Sequence, residues 1–312
     1  MQFSQVLQSQ PVLFYDGPME TRIEYGTSLK LDKEMSIFRL LEFKEGRDAL
    51  ANLYRKDIET IIPYQVPIIL NAPTFRASKE HCKRLGIDAD LENIYKINKE
   101  SIEFVRAIRD EYLAFKNIIF ITAPIGPKYA GFTPDNIQDI AIEVEYHQEQ
   151  INAIAEIGVD IISIAAMPGG MESIGAALAA SKTNCDYTVG FVLTKAGTLL
   201  DGMSVAYLIN EIDKSTAHKP LGYIIGCTHP SIAMQALSKN SLEYARIIGI
   251  KANGSVKSPK ELLKLDKPEA DEPNKFAEEL LAVGQKRGFK IYGGCCGTDD
   301  HHLKAMVELL TN

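Results

Sequence analysis

At 312 residues the chain can hold one large core or two small ones, and 46% hydrophobic with 24% charged residues is the composition of a soluble globular protein. A formal charge of −7, with no basic block to offset it, argues against a nucleic-acid partner and against an anionic membrane surface. Five scattered cysteines (Cys82, Cys185, Cys227, Cys295 and Cys296) exclude a disulfide framework and fit a reducing compartment. No basic and apolar leader opens the chain, and the expected location is the cytoplasm.

Eight short runs rich in β-branched or aromatic residues recur along the sequence: Val12–Tyr15, Val66–Leu70, Ile118–Ile121, Val159–Ile164, Tyr187–Leu193, Leu221–Ile225, Ile247–Ile250 and Phe289–Tyr292. Each reads as a buried strand, and none is long enough to cross a bilayer. Between them lie segments of helical period. Thr133–Ile157 is the clearest, with Ile137, Ile140, Ala141, Val144, His147, Ile151, Ile154 and Ala155 on one face and Glu143, Glu145, Glu149 and Gln150 largely on another. Asp135 and Asn136 are placed to cap its start, and Gly158 to end it. Lys275–Lys286 and Asp299–Leu310 read the same way, the latter with Asp299 or Asp300 near its N-cap.

Strand followed by helix implies parallel strands with helices outside. Eight such units close into a (β/α)8 barrel, a single domain over residues 1–312, with an open doubly wound sheet as the competing architecture. Two long connections, Asp16–Arg47 and Lys251–Asn274, both follow strands and would lie at the mouth where barrel enzymes build their sites. The lysine-rich stretch from Lys251 to Lys267, interrupted by Glu261 and Asp266, reads as a solvated loop.

The stretch Gly293-Gly294-Cys295-Cys296-Gly297-Thr298 ends the last run. Adjacent cysteines on a regular strand face opposite ways, but the flanking glycines let the chain bend so that both sulfurs face one point. Cys227, in Gly226-Cys227-Thr228-His229-Pro230, also directly follows a strand and supplies a third sulfur on the same rim. Three thiolates around Zn2+ leave one position open, the mark of a catalytic site.

These motifs resemble the homocysteine S-methyltransferase family, whose members are (β/α)8 barrels with zinc on three cysteines. Asp16-Gly17-Pro18-Met19-Glu20-Thr21 is similar to its first-strand motif, Ile125-Gly126-Pro127 to its third-strand motif, and Tyr146-His147-Gln148-Glu149-Gln150-Ile151 to its Tyr-His-x-x-Gln-Ile helix. Asp201-Gly202 and Ala252-Asn253-Gly254 match more loosely. The resemblance implies Cys227, Cys295 and Cys296 as zinc ligands that act in catalysis through the metal. It points to Asp16, Gly17, Thr74 and Asn253 as substrate contacts, and Glu20, which is not part of the family pattern, joins them as this chain's own candidate. The implied reaction moves a methyl group from a small donor, such as S-methylmethionine or a betaine, to homocysteine or a related thiol, giving methionine or another thioether. Partners are then the two small molecules; a homo-oligomer is compatible with the sequence.

The sequence departs from the family in places. Where a Glu-bearing motif usually ends the fourth strand, this chain has Ile164-Ala165-Ala166-Met167-Pro168; Gly226 stands where the family has Asn; Pro18 and Glu20 replace glycines. Glu20 is the residue expected to replace the missing carboxylate, unless the acceptor is not homocysteine. A barrel enzyme for another sulfur or selenium acceptor, and a non-catalytic zinc- or thiol-binding homologue, stay open beside methyl transfer. Cys82 and Cys185 read as structural or merely exposed, His147 as a hydrogen-bonded core histidine, His301 and His302 as surface or packing residues, and His229 as either a rim or a helix-start residue.

Overall fold

The computed structural model describes residues 2–129, 133–134, 139–239, 241–262 and 265–311. Eight parallel strands close into a barrel in sequence order: β1 (Leu13–Tyr15), β2 (Ile68–Asn71), β3 (Ile119–Ile125), β4 (Ile161–Met167), β5 (Tyr187–Phe191), β6 (Gly222–Gly226), β7 (Ile247–Ala252) and β8 (Ile291–Gly294), with β8 pairing back onto β1. Each overlaps one of the eight apolar runs, and closure removes the open sheet as an alternative. Helices α1 (Phe3–Ser9), α2 (Met19–Gly26), α3 (Lys44–Ile61), α4 (Lys79–Arg84), α5 (Leu91–Asp110), α6 (Ile140–Ile157), α7 (Gly170–Ser181), α8 (Val205–Ser215), α9 (Pro230–Ala236), α10 (Pro259–Leu262), α11 (Pro273–Arg287) and α12 (Asp300–Thr311) complete the order. Among the described residues no helix is long and apolar enough to cross a membrane.

The runs are apolar because both faces of these strands are buried. Leu13, Tyr15, Ile69, Phe120, Ile161, Ile224 and Ile291 fill the barrel, and α1 stoppers its lower end with Phe3, Val6 and Leu7. The alternate residues, among them Phe14, Ile68, Leu70 and Ile121, pack outward against the helices. With its lower end stoppered, the barrel can open only at the C-terminal ends of its strands.

Two expectations change. The helix expected over Thr133–Ile157 begins at Ile140, where the Asp139 carboxylate accepts the Ala141 N–H at 2.9 Å. Thr133 precedes a proline, which disfavours helical backbone there; the proposed caps Asp135 and Asn136, and Ile137, lie outside the described residues. The end at Gly158 is as expected, with φ 79° and its N–H on the Ile154 carbonyl. The buried stripe also differs. Glu143 and Gln150, expected on the solvent face, are buried, whereas Ile142 is exposed. Glu143 is tolerated inside because Lys128 Nζ meets it at 2.7 Å, and Gln150 because its amide donates to Thr74 O and Asn98 Oδ1.

Candidate functional site

The strand register explains how residues 68 positions apart come together. Gly226 at the end of β6 pairs with Lys251 of β7, and Ala252, the last residue of β7, pairs with Gly294 at the end of β8. The ladder runs one step further: Cys227 N–H donates to Lys251 O at 3.0 Å, and Cys295 N–H to Ala252 O at 2.6 Å. Cys227, Asn253 and Cys295 are therefore the first residues past three adjacent strand ends. Cys227 Sγ lies 2.9 Å from Cys295 Sγ, and the three sulfurs with Cys296 fall within 4.8 Å of one another, a set that could hold a metal ion. Asn253 fixes this rim from within, its Nδ2 donating to Cys227 O at 2.9 Å.

Backbone strain aims the sulfurs. Cys227 has φ 46° and faces Ala166 of β4, itself at φ 54°; both are left-handed conformations that side chains rarely adopt. The Cys295-Cys296 turn is pinned by Thr298, whose N–H and hydroxyl both donate to Cys295 O, and by Gly254 N–H on Cys296 O. Gly297 closes that turn at φ 87°, and a Cβ there would run into the Glu269 carbonyl. Gly297→Ala is expected to cost about 2 kcal/mol in urea unfolding. A loss below about 0.5 kcal/mol would mean the turn can relax.

The sulfurs lie in a cavity of about 480 Å³ lined also by Gly17, Glu20, Phe75, Arg76, Ala165, Ala166, Lys251 and Asn253. The two alanines leave the β4 side without a charge. Hydrogen bonds from Cys227 and Cys296 hold the Cys295 thiol well below its ordinary pKa, burial notwithstanding, and the Lys251 ammonium adds to this. The same contacts push Cys227 well above. Three converging sulfurs beside an ammonium make a soft donor set. Burial pushes the Glu20 carboxyl up, while Lys251 and Arg76 pull it down. Burial opposes the charge on Lys251, but Asp16, Cys295 and Glu20 restore it and raise its pKa.

Not every expected substrate residue reaches the cavity. Gly17, Glu20 and Asn253 line it. Thr74 does not: it is fully buried, and its hydroxyl donates to Pro124 O at 2.8 Å. Asp16, expected to point into the mouth, is also fully buried; its oxygens accept from Asn71 N at 2.8 Å, from Asn71 Nδ2 and from Lys251 Nζ at 3.3 Å. Burial lifts its pKa to about 6 against the pull of Lys251. Lys251 itself, expected in a solvated loop, sits on β7 with its side chain 20% exposed. His229 caps α9, its Nδ1 accepting Ser231 N–H while Nε2 lies 3.2 Å from Asp271. His302 packs edge-on against Phe276, His301 is exposed, and His147 is buried with Nε2 3.2 Å from Glu172. Cys82 is buried in a small apolar cluster, and Cys185 is half-buried away from the rim.

Sequence reading missed Arg76 and the residues behind it. Arg76 Nη1 donates to His81 Nε2 and to Pro127 O, both at 2.9 Å, and its guanidinium lies 4.6 Å from the Phe75 ring centre. With Nε2 accepting, His81 Nδ1–H faces Ser78 Oγ at 2.8 Å, so the imidazole is neutral. Burial, then Arg76 and Arg84, hold its pKa down to about 2, although Glu34 lies 3.7 Å away. The folded pKa lies below the unfolded value of about 6.5, so the unfolded chain binds the extra proton. The His81 contribution to stability is present above pH 6.5 and is lost as pH falls toward 2. Stability is expected to drop by up to about 1.4 kcal/mol per pH unit in that window. His81→Asn should flatten the slope in denaturant titrations between pH 4 and 6.5; an unchanged slope would remove His81 from the account.

Residues 13–310 match the family described as Homocysteine S-methyltransferase. The chain belongs to the homocysteine S-methyltransferase family. It is a methyltransferase, and members of this family act on a small thiol and a methyl donor. Among solved structures, the homocysteine methyltransferase MmuM from Escherichia coli is similar over nearly the whole length. Its metallated form has a TM-score of 0.76 at 15% identity, covering 98% of both chains, and its oxidized form 0.75 at 16%, covering 97% of both. At that identity the likeness shows a shared fold. No curated protein matches the chain by sequence.

Proposed function

We propose that this methyltransferase moves a methyl group from a small sulfonium or quaternary-ammonium donor to homocysteine or a related thiol, with zinc held by Cys227, Cys295 and Cys296. The convergence of three sulfurs, from two distant segments, in a cavity at the barrel mouth carries this reading. The donor set fits the metal: three soft ligands, and a cavity on which a fourth position can open. When bound, zinc supplies Lewis acidity that lowers the pKa of an incoming thiol near neutral pH.

The chain's own residues bind and orient. The acceptor sulfur bonds the methyl carbon as the donor's S–C or N–C bond breaks; the electron pair stays on the leaving atom and neutralises it, and the thiol proton goes to solvent. That attack needs donor and acceptor in line, and the cavity walls that would have to hold them so include Phe75, Ala165 and Ala166. Glu20, an electrostatic neighbour of Cys295 and Cys296, faces the donor's positive charge, which must lie against the reacting sulfur. It is thus better suited to the donor than to the acceptor's ammonium.

The test combines metal analysis of reduced protein with mass spectrometry of thiols incubated with S-methylmethionine or glycine betaine. Stoichiometric zinc and a thioether product are expected; metal-free protein, or zinc-loaded protein that methylates no thiol, would reject the proposal. Glu20→Gln is expected to raise the donor KM by about tenfold and to leave calorimetric homocysteine affinity within about twofold. The opposite pattern would put the acceptor ammonium on Glu20.

A further inference from the structure

Lys251, like Arg76, is a charged group of the mouth that no motif pointed to. It pairs with Gly226 on β6 and with Gly293 on β8, so its stem has a glycine on either side. A Cβ on Gly293 would come within 2.7 Å of Tyr15 Cβ and 3.4 Å of Lys251 Cγ, so this lane exists only because the position lacks a side chain. The lane leads Nζ to 3.3 Å from Asp16 Oδ1 and 5.2 Å from the Tyr15 ring centre, at the cavity wall. Asp16 is fully buried and bonded through both oxygens, to Asn71 and to this lysine. The carboxylate at the end of β1 already has its cation from within the chain. On the β4 side, Ala165 and Ala166 offer no second carboxylate, and Glu20, the carboxylate beside the sulfurs, is taken by the donor's charge in the reading above. A substrate ammonium entering this part of the rim would meet a like charge, whereas a carboxylate would meet an ammonium with N–H donors to spare.

We propose that Lys251 sets the acceptor class. It occupies Asp16 in place of a substrate ammonium and turns its remaining donors toward a substrate anion, so the acceptor is a mercaptocarboxylate whose α-amino group is dispensable. This deepens the thiol methyl-transfer reading and rests on it.

Three thiols of similar length separate the charges: homocysteine carries both groups, 4-mercaptobutyrate only the carboxylate and 3-aminopropanethiol only the ammonium. Calorimetry on the zinc-loaded protein is expected to give 4-mercaptobutyrate within about threefold of homocysteine, and 3-aminopropanethiol at least about tenfold weaker. Lys251→Met should weaken 4-mercaptobutyrate by about tenfold or more and, with Asp16 released, strengthen 3-aminopropanethiol, inverting the order. Lys251→Arg should keep the original order. The double variant Asp16→Asn with Lys251→Met should lose the carboxylate preference without gaining the ammonium one, which a merely destabilised mouth would not reproduce. Equal binding of the two singly charged thiols by wild-type protein, or an unchanged ratio in Lys251→Met, would overturn the assignment and leave methyl transfer standing. Failure of all three thiols to bind zinc-loaded protein would remove the thiol reading, and this inference with it.

Discussion

Cys296→Ala is expected to strip the protein of stoichiometric zinc and to lower methyl transfer by at least about a thousandfold, roughly 4 kcal/mol of transition-state stabilisation. Two sulfurs are too few for a zinc site, which takes three or four protein ligands. Losing a residue that only supports a ligand already costs about 10- to 100-fold in affinity, and a ligand itself costs more. The fold should survive. Cys296 is half-buried, its backbone carbonyl keeps the Gly254 N–H, and the metal-free stability should change by no more than about 1 kcal/mol. Cys82→Ala is the matched control: it removes a fully buried thiol from the cluster around Phe38 and Ile94, so it should cost stability but not zinc. Full metal content and activity in Cys296→Ala would show that the third sulfur is no ligand.

The cysteines were legible in the sequence because glycines frame them and because each directly follows an apolar run. Strands buried on both faces lose most of their polar residues, so runs such as Val66–Leu70 and Ile118–Ile121 stand out wherever they occur. Buried charge is different. Lys251 looks like the first residue of a lysine-rich loop until β7 pairs it between two glycines, and its partner Asp16 is 235 positions away. Glu143 looks solvated until Lys128 is known to reach it. A lone Lys or Glu is almost always exposed, so the exceptions are invisible until long-range pairing supplies the counter-charge. Arg76 was hidden for the same reason: its partner His81 is close in sequence, but its burial depends on packing against the barrel. The start of α6 failed locally, because hydrophobic period carries on through Pro134 where the backbone does not. The cluster of three sulfurs could therefore be read in advance, while the buried charges around it could not.

One such hidden pair holds up the first loop of the mouth. Asp57 of α3 is fully buried; its Oδ2 accepts from Arg22 Nη1 at 2.7 Å and from Gly17 N–H at 3.0 Å. Burial pushes its carboxyl up, and Arg22 with Gly17 pulls it back. Gly17 is needed for this contact, since a Cβ there would come within 2.7 Å of the same guanidinium nitrogen. Asp57→Ala would strand a buried guanidinium and an amide N–H, which costs about 3–5 kcal/mol, or roughly 5–8 °C in melting temperature for a chain of this size. Because Gly17 and Glu20 ride on the same segment, the donor KM should rise in step. The double replacement Arg22→Met with Asp57→Leu removes both charges at similar volume and should recover most of the stability, since an absent buried pair is far cheaper than a broken one. Its activity separates two roles. If the pair serves only stability, the double variant turns over normally. If it also fixes where Gly17 holds the first loop, the melting temperature returns while the donor KM does not, and the latter is expected because no apolar side chain can accept the Gly17 N–H. A melting temperature in Asp57→Ala within about 2 °C of wild type would mean that water reaches the stranded guanidinium and that the loop is held by other contacts.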